Sequence, residues 1–384
     1  MNIVVLGAGL VGAPMAIDLA KDNEFDVTVA DIDANKLRGL EAHAIATREM
    51  DLSDAAAVTA LASGFDIVLN AVPGFMGFMT LEAIIDAGKN IVDIAFFPED
   101  PFLLDKLAKQ RGVTAIVDCG VAPGMTNVLI GHANRLLDET QNVLIYVGGL
   151  PECREWPYEY KAVFSPADVI EEYTRPARLV ENGRLVTRPA LSESEFLHFP
   201  PLGTLEAFNS DGLRTLATTI DAPNMKEKTM RYPGHVERMK MLRDTGFFSK
   251  DPVEIDGVKI RPLDFTSRIL FPKWQLEKDD VDYTVLKVIV EGKKDGETRR
   301  YTWDLIDRYD PESRTHSMAR TTGYTATAVV RMLAAGLYPR TGISPPEYVG
   351  EQPKCVQFLL DRLEERGVVY TGTVEDGESR ESAA

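Results

Sequence analysis

The feature that most constrains the fold is a glycine-rich turn within the first twelve residues, MNIVVLGAGLVG. The apolar residues 3–6 are typical of a buried parallel strand, and Gly7, Gly9 and Gly12 follow them at G-x-G-x-x-G spacing. The three glycines permit a tight turn, a close approach of backbone to phosphate, and close packing of helix on strand. Because residues 13–21 favour a helix, the free N–H groups at its start are expected to face an anion. The turn therefore predicts a site for the pyrophosphate of a dinucleotide.

Residues 1 to about 122 alternate strand-like and helix-like segments, which is the order expected of a parallel sheet with helices on both faces. The predicted strands cover residues 2–6, 26–30, 44–48, 66–71, 90–94 and 114–118. The predicted helices cover residues 11–21, 33–41, 54–62, 78–87 and 101–110. Six strands joined by short loops indicate a doubly wound nucleotide-binding domain of the Rossmann type, with an α/β fold.

After Gly124 the pattern is typical of a second, α+β domain, which we place at residues 123–319. An Asn-Gly pair at 182–183 and an Asp-Gly pair at 256–257 each lie between alternating runs and predict β-hairpins. Further strands are predicted over residues 142–149, 282–290 and 299–305, with helices over 125–137 and 236–245 between them. We expect an open, mainly antiparallel sheet in a domain that carries the substrate site.

The C-terminal part is expected to return to the first domain. A long Ala-rich helix is predicted over residues 322–336, so that residues 320–350 complete the nucleotide-binding domain. Residues 351–371 are predicted to form a C-terminal helix and strand, and the polar residues 372–384 a disordered tail.

Charge and composition exclude several classes of function. The chain of 384 residues has a formal net charge of −17, which disfavours nucleic acids and anionic membrane surfaces as partners. Its three cysteines, Cys119, Cys153 and Cys355, are far apart and form no Cys/His cluster, so neither a disulfide framework nor a metal site is indicated. No apolar run approaches the ~18 residues that a membrane span needs. Because strand-like sequence begins at the second residue, we expect no secretory signal and a cytoplasmic protein.

Asp31, at the end of the second predicted strand, favours NAD over NADP. A carboxylate there accepts hydrogen bonds from ribose hydroxyls and repels a 2′-phosphate, and the following Ile32 offers no positive charge. The alternative is that Asp31 only caps the next helix, and the same alternative holds for Asp51 after the third strand. The predicted cofactor-binding residues are Gly7, Gly9, Leu10, Val11, Gly12, Asp31, Ile32, Asp51, Leu52, Ala71, Val72, Pro73 and Gly124.

Two aspartates are the candidate acids and bases of the first domain. Asp93 ends the fifth predicted strand and Asp118 the sixth, so both are expected at the edge where a nicotinamide ring would lie. Either carboxylate could accept a proton or hold a substrate ammonium. The alternative is that each caps a loop through backbone N–H groups. Cys119 is expected to be a small buried residue rather than a nucleophile.

The second domain concentrates further candidates around the segment KTMRYPGHVERM. His235 suits proton transfer near neutral pH, and Arg231 suits a two-point hold on a carboxylate. Structural roles for both residues remain the alternative. Polar side chains elsewhere in the chain complete the predicted substrate site: Tyr160, Lys161, Glu206, Asp211 and Arg320.

The chain also resembles a known family over nearly its whole length. The segments GAGLVG, AVPGF, DIAFFPEDP, DCGVAPGMTN, EEYTRPARLVENG, GTLEAFNSDGL, KEKTMRYPGH and SMARTTGYTA are similar to those of the lysine 6-dehydrogenases. These are NAD-dependent L-lysine dehydrogenases within the saccharopine dehydrogenase-like family. The resemblance implies oxidation of the ε-amine carbon of L-lysine with release of ammonia. It further implies 2-aminoadipate 6-semialdehyde as product, which cyclises to piperideine-6-carboxylate, and a homodimer formed through the sheet of the second domain.

One segment departs from the nearest relatives of that group. Saccharopine reductases resemble GLDPGIDH where this chain has GVAPGMTN, so Ala122 and Asn127 replace an aspartate and a histidine. Saccharopine is therefore disfavoured as the substrate.

The implied reaction assigns roles to the candidates. Asp93, Asp118 and His235 are the expected proton-transfer groups, because the amine must lose a proton before hydride leaves its carbon. Arg231 or Arg320 is expected to hold the α-carboxylate, and Glu206 or Asp211 the α-ammonium. The alternatives are a saccharopine- or carboxyspermidine-type dehydrogenase, and a protein that senses NAD(H) without turnover.

Overall fold

The computed structural model describes residues 1–377 and divides them into two compact units. The first unit consists of Met1–Leu136 and Met318–Tyr370, and the second of Leu137–Ser317 together with Thr371–Gly377.

Strands and helices alternate through the first 136 residues, and two aspartates cap helices among them. The side chain of Asp33 accepts a hydrogen bond from Asn35 N, and that of Asp54 from Ala56 N at 2.9 Å. The elements are β1 (Asn2–Leu6), α1 (Gly12–Leu19), β2 (Asp26–Asp31), α2 (Ala34–Arg38), β3 (Ala46–Glu49), α3 (Ala55–Ala62), β4 (Ile67–Asn70), α4 (Gly74–Asp86), β5 (Asn90–Asp93), α5 (Asp105–Arg111), β6 (Thr114–Ile116) and α6 (Met125–Leu136).

The middle of the chain is rich in strands, and both predicted hairpins form, with the Asn-Gly and Asp-Gly pairs at positive φ in their turns. The elements are β7 (Glu139–Pro151), α7 (Pro166–Thr174), β8 (Ala177–Glu181), β9 (Arg184–Arg188), β10 (Glu195–Phe199), β11 (Gly203–Asn209), α8 (Leu216–Thr219), β12 (Asn224–Arg231), α9 (His235–Thr245), β13 (Val253–Ile255), β14 (Val258–Ile260), α10 (Pro262–Trp274), β15 (Asp282–Lys294) and β16 (Glu297–Arg308).

The C-terminal elements are mostly helical. They are α11 (Ser317–Ala334), β17 (Gly342–Ser344), α12 (Pro346–Gly350), α13 (Pro353–Glu364) and β18 (Thr371–Gly377). Within residues 1–377, none of the helices is long and apolar enough to cross a bilayer.

The first unit contains a parallel sheet of seven strands in the order β17-β6-β5-β4-β1-β2-β3. Its central part has the strand order 3-2-1-4-5-6 of a doubly wound dinucleotide fold, as predicted. The sequence interpretation missed β17, a three-residue strand that lies at the edge of the sheet and pairs in parallel with β6. So short a strand carries too few residues for a periodic signal.

The boundary between the units differs from the predicted one at residues 122–123, because α6 belongs to the first unit. Two glycines allow α6 and α12 to touch. A Cβ on Gly131 would lie 2.1 Å from Glu347 O, and one on Gly350 would lie 2.2 Å from Val128 O. Helices this close leave no room for a side chain at the contact, so α6 packs tightly against α12 of the returning C-terminal segment.

The second unit contains a mixed sheet of nine strands. Seven of them follow the order β10-β11-β12-β7-β15-β16-β18, while β8 pairs with β12 and with β9. The pair β12–β7 is parallel and the remaining pairs are antiparallel, which confirms the predicted, mainly antiparallel sheet.

The predicted disordered tail is wrong for residues 372–377. They belong to β18, which pairs with β16 and places Arg299 against Asp376 at 2.6 Å. Backbone pairing along the edge of an existing sheet orders a polar segment that has no apolar pattern of its own. Residues 378–384 lie outside the described residues.

Candidate functional site

The glycine-rich turn between β1 and α1 has the shape that a bound dinucleotide requires. A Cβ on Gly7 would lie 2.8 Å from Ala71 O, and one on Gly12 would lie 2.1 Å from Gly7 O, so neither position accepts a side chain. A Cβ on Gly9, by contrast, would meet nothing within 4 Å. The middle glycine therefore faces open space, where a phosphate can approach the backbone closely.

The start of α1 faces the same region. Its N-cap residue, Val11, makes no side-chain capping hydrogen bond. The helix end thus keeps its partial positive charge for an anion. Leu10, beside it, exposes 47% of its surface and can cover a bound cofactor.

Asp31 ends β2 beside this turn and is held rigidly. Its Oδ2 accepts a hydrogen bond from Ala8 N at 2.6 Å, and its Oδ1 accepts one from Asp33 N at 2.8 Å. Two backbone donors fix the negative charge where the ribose of a dinucleotide lies in this fold. The neighbouring Ile32 is exposed and carries no charge. These residues fit NAD.

Not every predicted cofactor contact lies at this edge in an accessible form. Leu52 and Val72 are buried in the hydrophobic core of the first unit. Asp51 is exposed, and a hydrogen bond from the backbone N–H of Ser53 holds its pKa below the usual value. For Leu52 the geometry favours a core role, because its side chain packs among apolar neighbours.

A group of four polar residues lies at the carboxyl ends of β4, β5 and β6, and we call it the strand-end cluster: Asn70, Asp93, Asp118 and Cys119. All four are buried. Asn70 Nδ2 donates to Asp93 Oδ1 at 3.0 Å, and Cys119 N donates to Asp93 O at 2.9 Å. Ligands bind at this edge of open parallel sheets, so the cluster is where the chemistry of such a protein is expected.

The two aspartates of the strand-end cluster affect the thiol of Cys119. Burial raises its pKa, and the negative charges of Asp93 and Asp118 raise it further. Cys119 therefore stays protonated and is no nucleophile, in agreement with its predicted role as a small buried residue.

The turn that follows the strand-end cluster is built around a glycine and an asparagine. Gly124 has φ +140°, and a Cβ there would lie 1.8 Å from Gly120 O. Asn127 is fully buried; its Oδ1 accepts from Gly124 N at 3.3 Å and its Nδ2 donates to Glu347 at 3.0 Å. Asn127 thus ties this turn to α12.

The second unit contains the other group of candidates, which we call the aromatic cluster: Tyr160, Tyr173, Arg231, His235 and Trp274. The guanidinium of Arg231 lies 4.6 Å from the centre of the Tyr160 ring and donates to Glu172 at 2.6 Å. It also donates through Nε to Tyr173 Oη at 3.3 Å. Arg231 is 2% exposed. Its donors are engaged within the protein, which favours a structural role over the predicted hold on a carboxylate.

His235 is fully buried, and both of its ring nitrogens are hydrogen-bonded. Nδ1 lies 2.9 Å from Tyr158 O, so it must carry the hydrogen, and Nε2 then accepts from Tyr173 Oη at 2.9 Å. Burial and the nearby charge of Arg231 lower the pKa of His235 to about 3. A neutral, enclosed imidazole with both nitrogens occupied is unsuited to the proton transfer predicted from sequence.

Apart from Tyr160, the remaining predicted substrate contacts also have partners within the protein. Asp211 accepts from Arg178 Nε and Nη2 at 2.8 and 2.9 Å, and Glu206 accepts from Gly234 N at 3.0 Å. Arg320 donates to Arg366 O at 3.0 Å, within the first unit. Lys161 lies 3.5 Å from Glu155 at the surface. The hydroxyl of Tyr160 is buried and makes no hydrogen bond within residues 1–377.

The sequence interpretation missed two residues that organise these groups. Asn70 is the polar end of the otherwise apolar strand IVLN, and that contrast is the signal that identifies it. Glu172 lies in the segment EEYTRPARLVENG, which gave no sign that it pairs with Arg231. In the part of the chain that the structure describes, no group of three or more His, Cys, Asp or Glu side chains is arranged to hold a metal ion.

Comparison with known proteins covers both units. Residues 3–116 match the model of the saccharopine dehydrogenase NADP binding domain, and residues 120–368 match that of the saccharopine dehydrogenase C-terminal domain. The chain is 23% identical over 396 residues to carboxyaminopropylagmatine dehydrogenase of Synechocystis sp., covering 96% of each protein. It is 24% identical over 312 residues to the L-glutamate-forming, NADP-dependent saccharopine dehydrogenase of Pyricularia oryzae, covering 77% of this chain and 68% of that protein.

A solved structure shows the same fold. Apo saccharopine dehydrogenase (L-Glu forming) from Saccharomyces cerevisiae has a TM-score of 0.79 at 19% sequence identity, over 97% of this chain and 99% of that one. Two domain models that together span most of the chain, one of them matching well over half of it, identify this protein as a member of the saccharopine dehydrogenase family.

Proposed function

We propose that this protein is an NAD-dependent dehydrogenase that oxidises the ε-amine carbon of L-lysine. The product, 2-aminoadipate 6-semialdehyde, then cyclises to piperideine-6-carboxylate. The observation that carries this proposal is the strand-end cluster, in which two buried aspartates lie at the carboxyl edge of the nucleotide-binding sheet.

The reaction needs a base at this edge. The substrate amine arrives as an ammonium, and it must lose a proton before its carbon can give up hydride. A nicotinamide dinucleotide held by the glycine-rich turn supplies the hydride acceptor. Asp93 and Asp118 supply negative charge that attracts the ammonium and can take its proton. The resulting iminium adds water, and a carboxylate accepts a proton from that water as ammonia leaves.

The overall reaction balances in atoms and charge. L-Lysine with a charged ε-ammonium, NAD⁺ and water give the semialdehyde, ammonium, NADH and one proton. The carbon is oxidised by two electrons, and the carbon–nitrogen bond breaks when the iminium is hydrolysed.

The position of Asp31 supports NAD as the cofactor. Its carboxylate is fixed by Ala8 N and Asp33 N and would repel a 2′-phosphate. The matching family model is named for NADP, and the carboxylate of Asp31 is the reason why we propose NAD for this protein.

The turn at residues 120–127 supports a substrate other than saccharopine. Asn127 is buried against Glu347 and Gly124, and Ala122 carries no functional group. The resemblance to saccharopine reductases would place an aspartate at position 122 and a histidine at position 127. This chain has neither side chain at these positions.

A second candidate has a specific observation in its favour. The chain covers 96% of a carboxyaminopropylagmatine dehydrogenase, and it also matches a saccharopine dehydrogenase. The names of both relatives point to oxidation or formation of a secondary amine. Under this reading the strand-end cluster has the same role, but an amino acid or amine leaves in place of ammonia.

One assay separates these candidates. Purified protein is mixed with NAD or NADP and with L-lysine, L-ornithine, saccharopine or no substrate, while reduced cofactor and free ammonia are both measured. We expect NADH and ammonia in equal amounts with L-lysine. Reduced cofactor from saccharopine without ammonia would favour the second candidate. Binding of NADH without turnover of any amine would leave a sensing protein and contradict the dehydrogenase proposal.

A further inference from the structure

Asn70 lies between two strands of the nucleotide-binding sheet, and the pairing of those strands does not account for its amide side chain. It is the last residue of β4 and is fully buried. Its backbone carbonyl accepts from Ile94 N at 3.0 Å, so β4 and β5 are already joined here by their main chains. The buried amide side chain is therefore not needed to pair the strands, and a leucine or valine would serve the core at lower cost in desolvation.

The orientation of the Asn70 amide is fixed by its neighbours. Its Oδ1 accepts from Val72 N at 3.4 Å, which identifies that atom as the oxygen. Its Nδ2 therefore faces Asp93 and donates to Oδ1 of that carboxylate at 3.0 Å. The side chain thus offers a donor, and not an acceptor, to the aspartate.

Two donors in the described part of the chain, Asn70 Nδ2 and Ala95 N, bind the same carboxylate oxygen of Asp93. Oδ1 accepts from Asn70 Nδ2 and, at 2.7 Å, from Ala95 N. Because a carboxyl group is planar, two donors on one oxygen set the plane of the group and the direction of Oδ2. They also favour the charged form, since hydrogen bonds to a carboxylate stabilise its negative charge.

We propose that Asn70 is a positioning residue that holds the Asp93 carboxylate in one orientation and ionised, so that this carboxylate can act as the proton acceptor for the substrate amine. This inference rests on the proposed function, because it assigns Asn70 a part in that reaction. Two titratable groups of the turn after β6 share the neighbourhood: Asp118, and Cys119, which stays a neutral thiol.

The variant Asn70→Asp tests the proposal with almost no change in volume. The new carboxylate can still accept from Val72 N, but it places a second negative charge about 3 Å from Asp93. Two carboxylates that close cannot both ionise easily, so the pKa of the pair rises. We expect the acidic limb of the pH profile of kcat/KM with L-lysine to move to higher pH by at least about one unit.

The control is Asn90→Asp, on the same sheet. Asn90 begins β5, whereas Asp93 ends it, so the same change in charge is made at the opposite edge. Asn90 Oδ1 accepts from Thr114 N at 2.9 Å, and an aspartate keeps that bond. We expect its pH profile to match that of the unmodified protein. An acidic limb that stays in place in Asn70→Asp, or moves equally in both variants, would overturn the proposal.

A second measurement does not depend on turnover. The unfolding free energy of Asn70→Asp, Asp93→Asn and the double variant is measured between about pH 4 and about pH 8. In Asn70→Asp the folded pair retains a proton that the unfolded chain releases, so stability should fall as pH rises. The double variant lacks the like-charge pair and should lose that dependence.

The two readouts separate failure of this inference from failure of the proposed function. If the unmodified protein oxidises no amine, the proposed function fails, and the stability cycle alone decides whether Asn70 sets the ionisation of Asp93. A coupling that grows with pH supports that part of the inference. A coupling that is absent at all pH values contradicts it, whether or not the protein turns over L-lysine.

Discussion

The strand-end cluster and the aromatic cluster are both buried and polar, but they satisfy their hydrogen bonds in different ways. In the aromatic cluster, three of the five side chains form a continuous series in which Arg231 donates to Tyr173, Tyr173 to His235, and His235 to the carbonyl of Tyr158. In the strand-end cluster, two carboxylates lie near one thiol, and the described donors to Asp93 both reach one oxygen.

This difference suggests separate roles: the aromatic cluster stabilises the fold, and the strand-end cluster is the proposed site of the reaction. The hydrogen-bonded series of Arg231, Tyr173 and His235 holds α7, β12 and α9 together. Its groups do not change protonation near neutral pH, because the pKa of His235 is lowered to about 3. Neighbouring carboxylates at the ligand-binding edge of a parallel sheet are the groups that we propose to attract the substrate ammonium. Histidine and arginine are the residue types most often associated with catalysis, but here His235 and Arg231 belong to the aromatic cluster, to which we assign a structural role.

The largest effect is expected for Asp93→Asn in the strand-end cluster. The amide keeps the shape and one acceptor oxygen but cannot take a proton, so kcat/KM for L-lysine should fall by about 10²- to 10⁴-fold. NADH affinity should remain close to that of the unmodified protein, because the glycine-rich turn is unchanged. Steady-state kinetics and NADH titration measure the two quantities.

A matched control for that variant is Asp66→Asn, at the opposite edge of the same sheet. Asp66 accepts from Asn2 N at 2.8 Å, and an asparagine can do so too. Its kinetics should be unchanged. If Asp93→Asn keeps full turnover, Asp118 or a group outside this cluster takes the proton, and the comparison between the clusters must be redrawn.

A smaller effect, on stability rather than turnover, is expected for His235→Gln in the aromatic cluster. The variant leaves the Tyr173 hydroxyl or the Tyr158 carbonyl without its partner, so the unfolding free energy near pH 7 should fall by about 1–3 kcal/mol. The pH profile of kcat should keep its shape. A profile that loses one of its limbs would return His235 to the mechanism.

The effect of His235→Gln on stability should also depend on pH, and the pKa of His235 determines the direction of that dependence. The pKa of His235 falls from 6.5 to about 3 on folding, so the unfolded chain binds a proton that the folded protein does not. The stability that this histidine contributes is present above about pH 6.5 and is lost as pH falls towards 3. The unfolding free energy of the unmodified protein relative to that of His235→Gln should therefore fall by roughly 3 kcal/mol between pH 7 and pH 4, so that the advantage of the unmodified protein near pH 7 disappears or reverses at pH 4. The exposed His43→Gln is the control and should show no such change.

The fold was more accessible from the sequence than the site was. The glycine-rich turn and alternating apolar runs predict the parallel sheet, because backbone geometry and burial act locally. Whether a polar side chain is free depends on partners far away in the chain: Arg231 meets Glu172, and Asp211 meets Arg178. The spacing of residues along the sequence does not indicate which charged side chains pair in this way. Asn70 shows the converse, because a polar residue that ends an apolar strand can be recognised without its partner.

The smallest effect expected is a change in cofactor preference for Asp31→Asn. The amide keeps an acceptor for Ala8 N or Asp33 N but removes the negative charge that would repel a 2′-phosphate. The ratio of kcat/KM for NAD to that for NADP should fall roughly tenfold, about 1.4 kcal/mol. Asp33→Asn removes the same charge two residues away and keeps the cap of α2, since asparagine also caps helices well. An equal fall in both variants would mean that general charge, and not the fixed carboxylate at the end of β2, sets the preference. A fall confined to Asp31→Asn would show that the glycine-rich turn and this aspartate select the cofactor together, independently of the strand-end cluster.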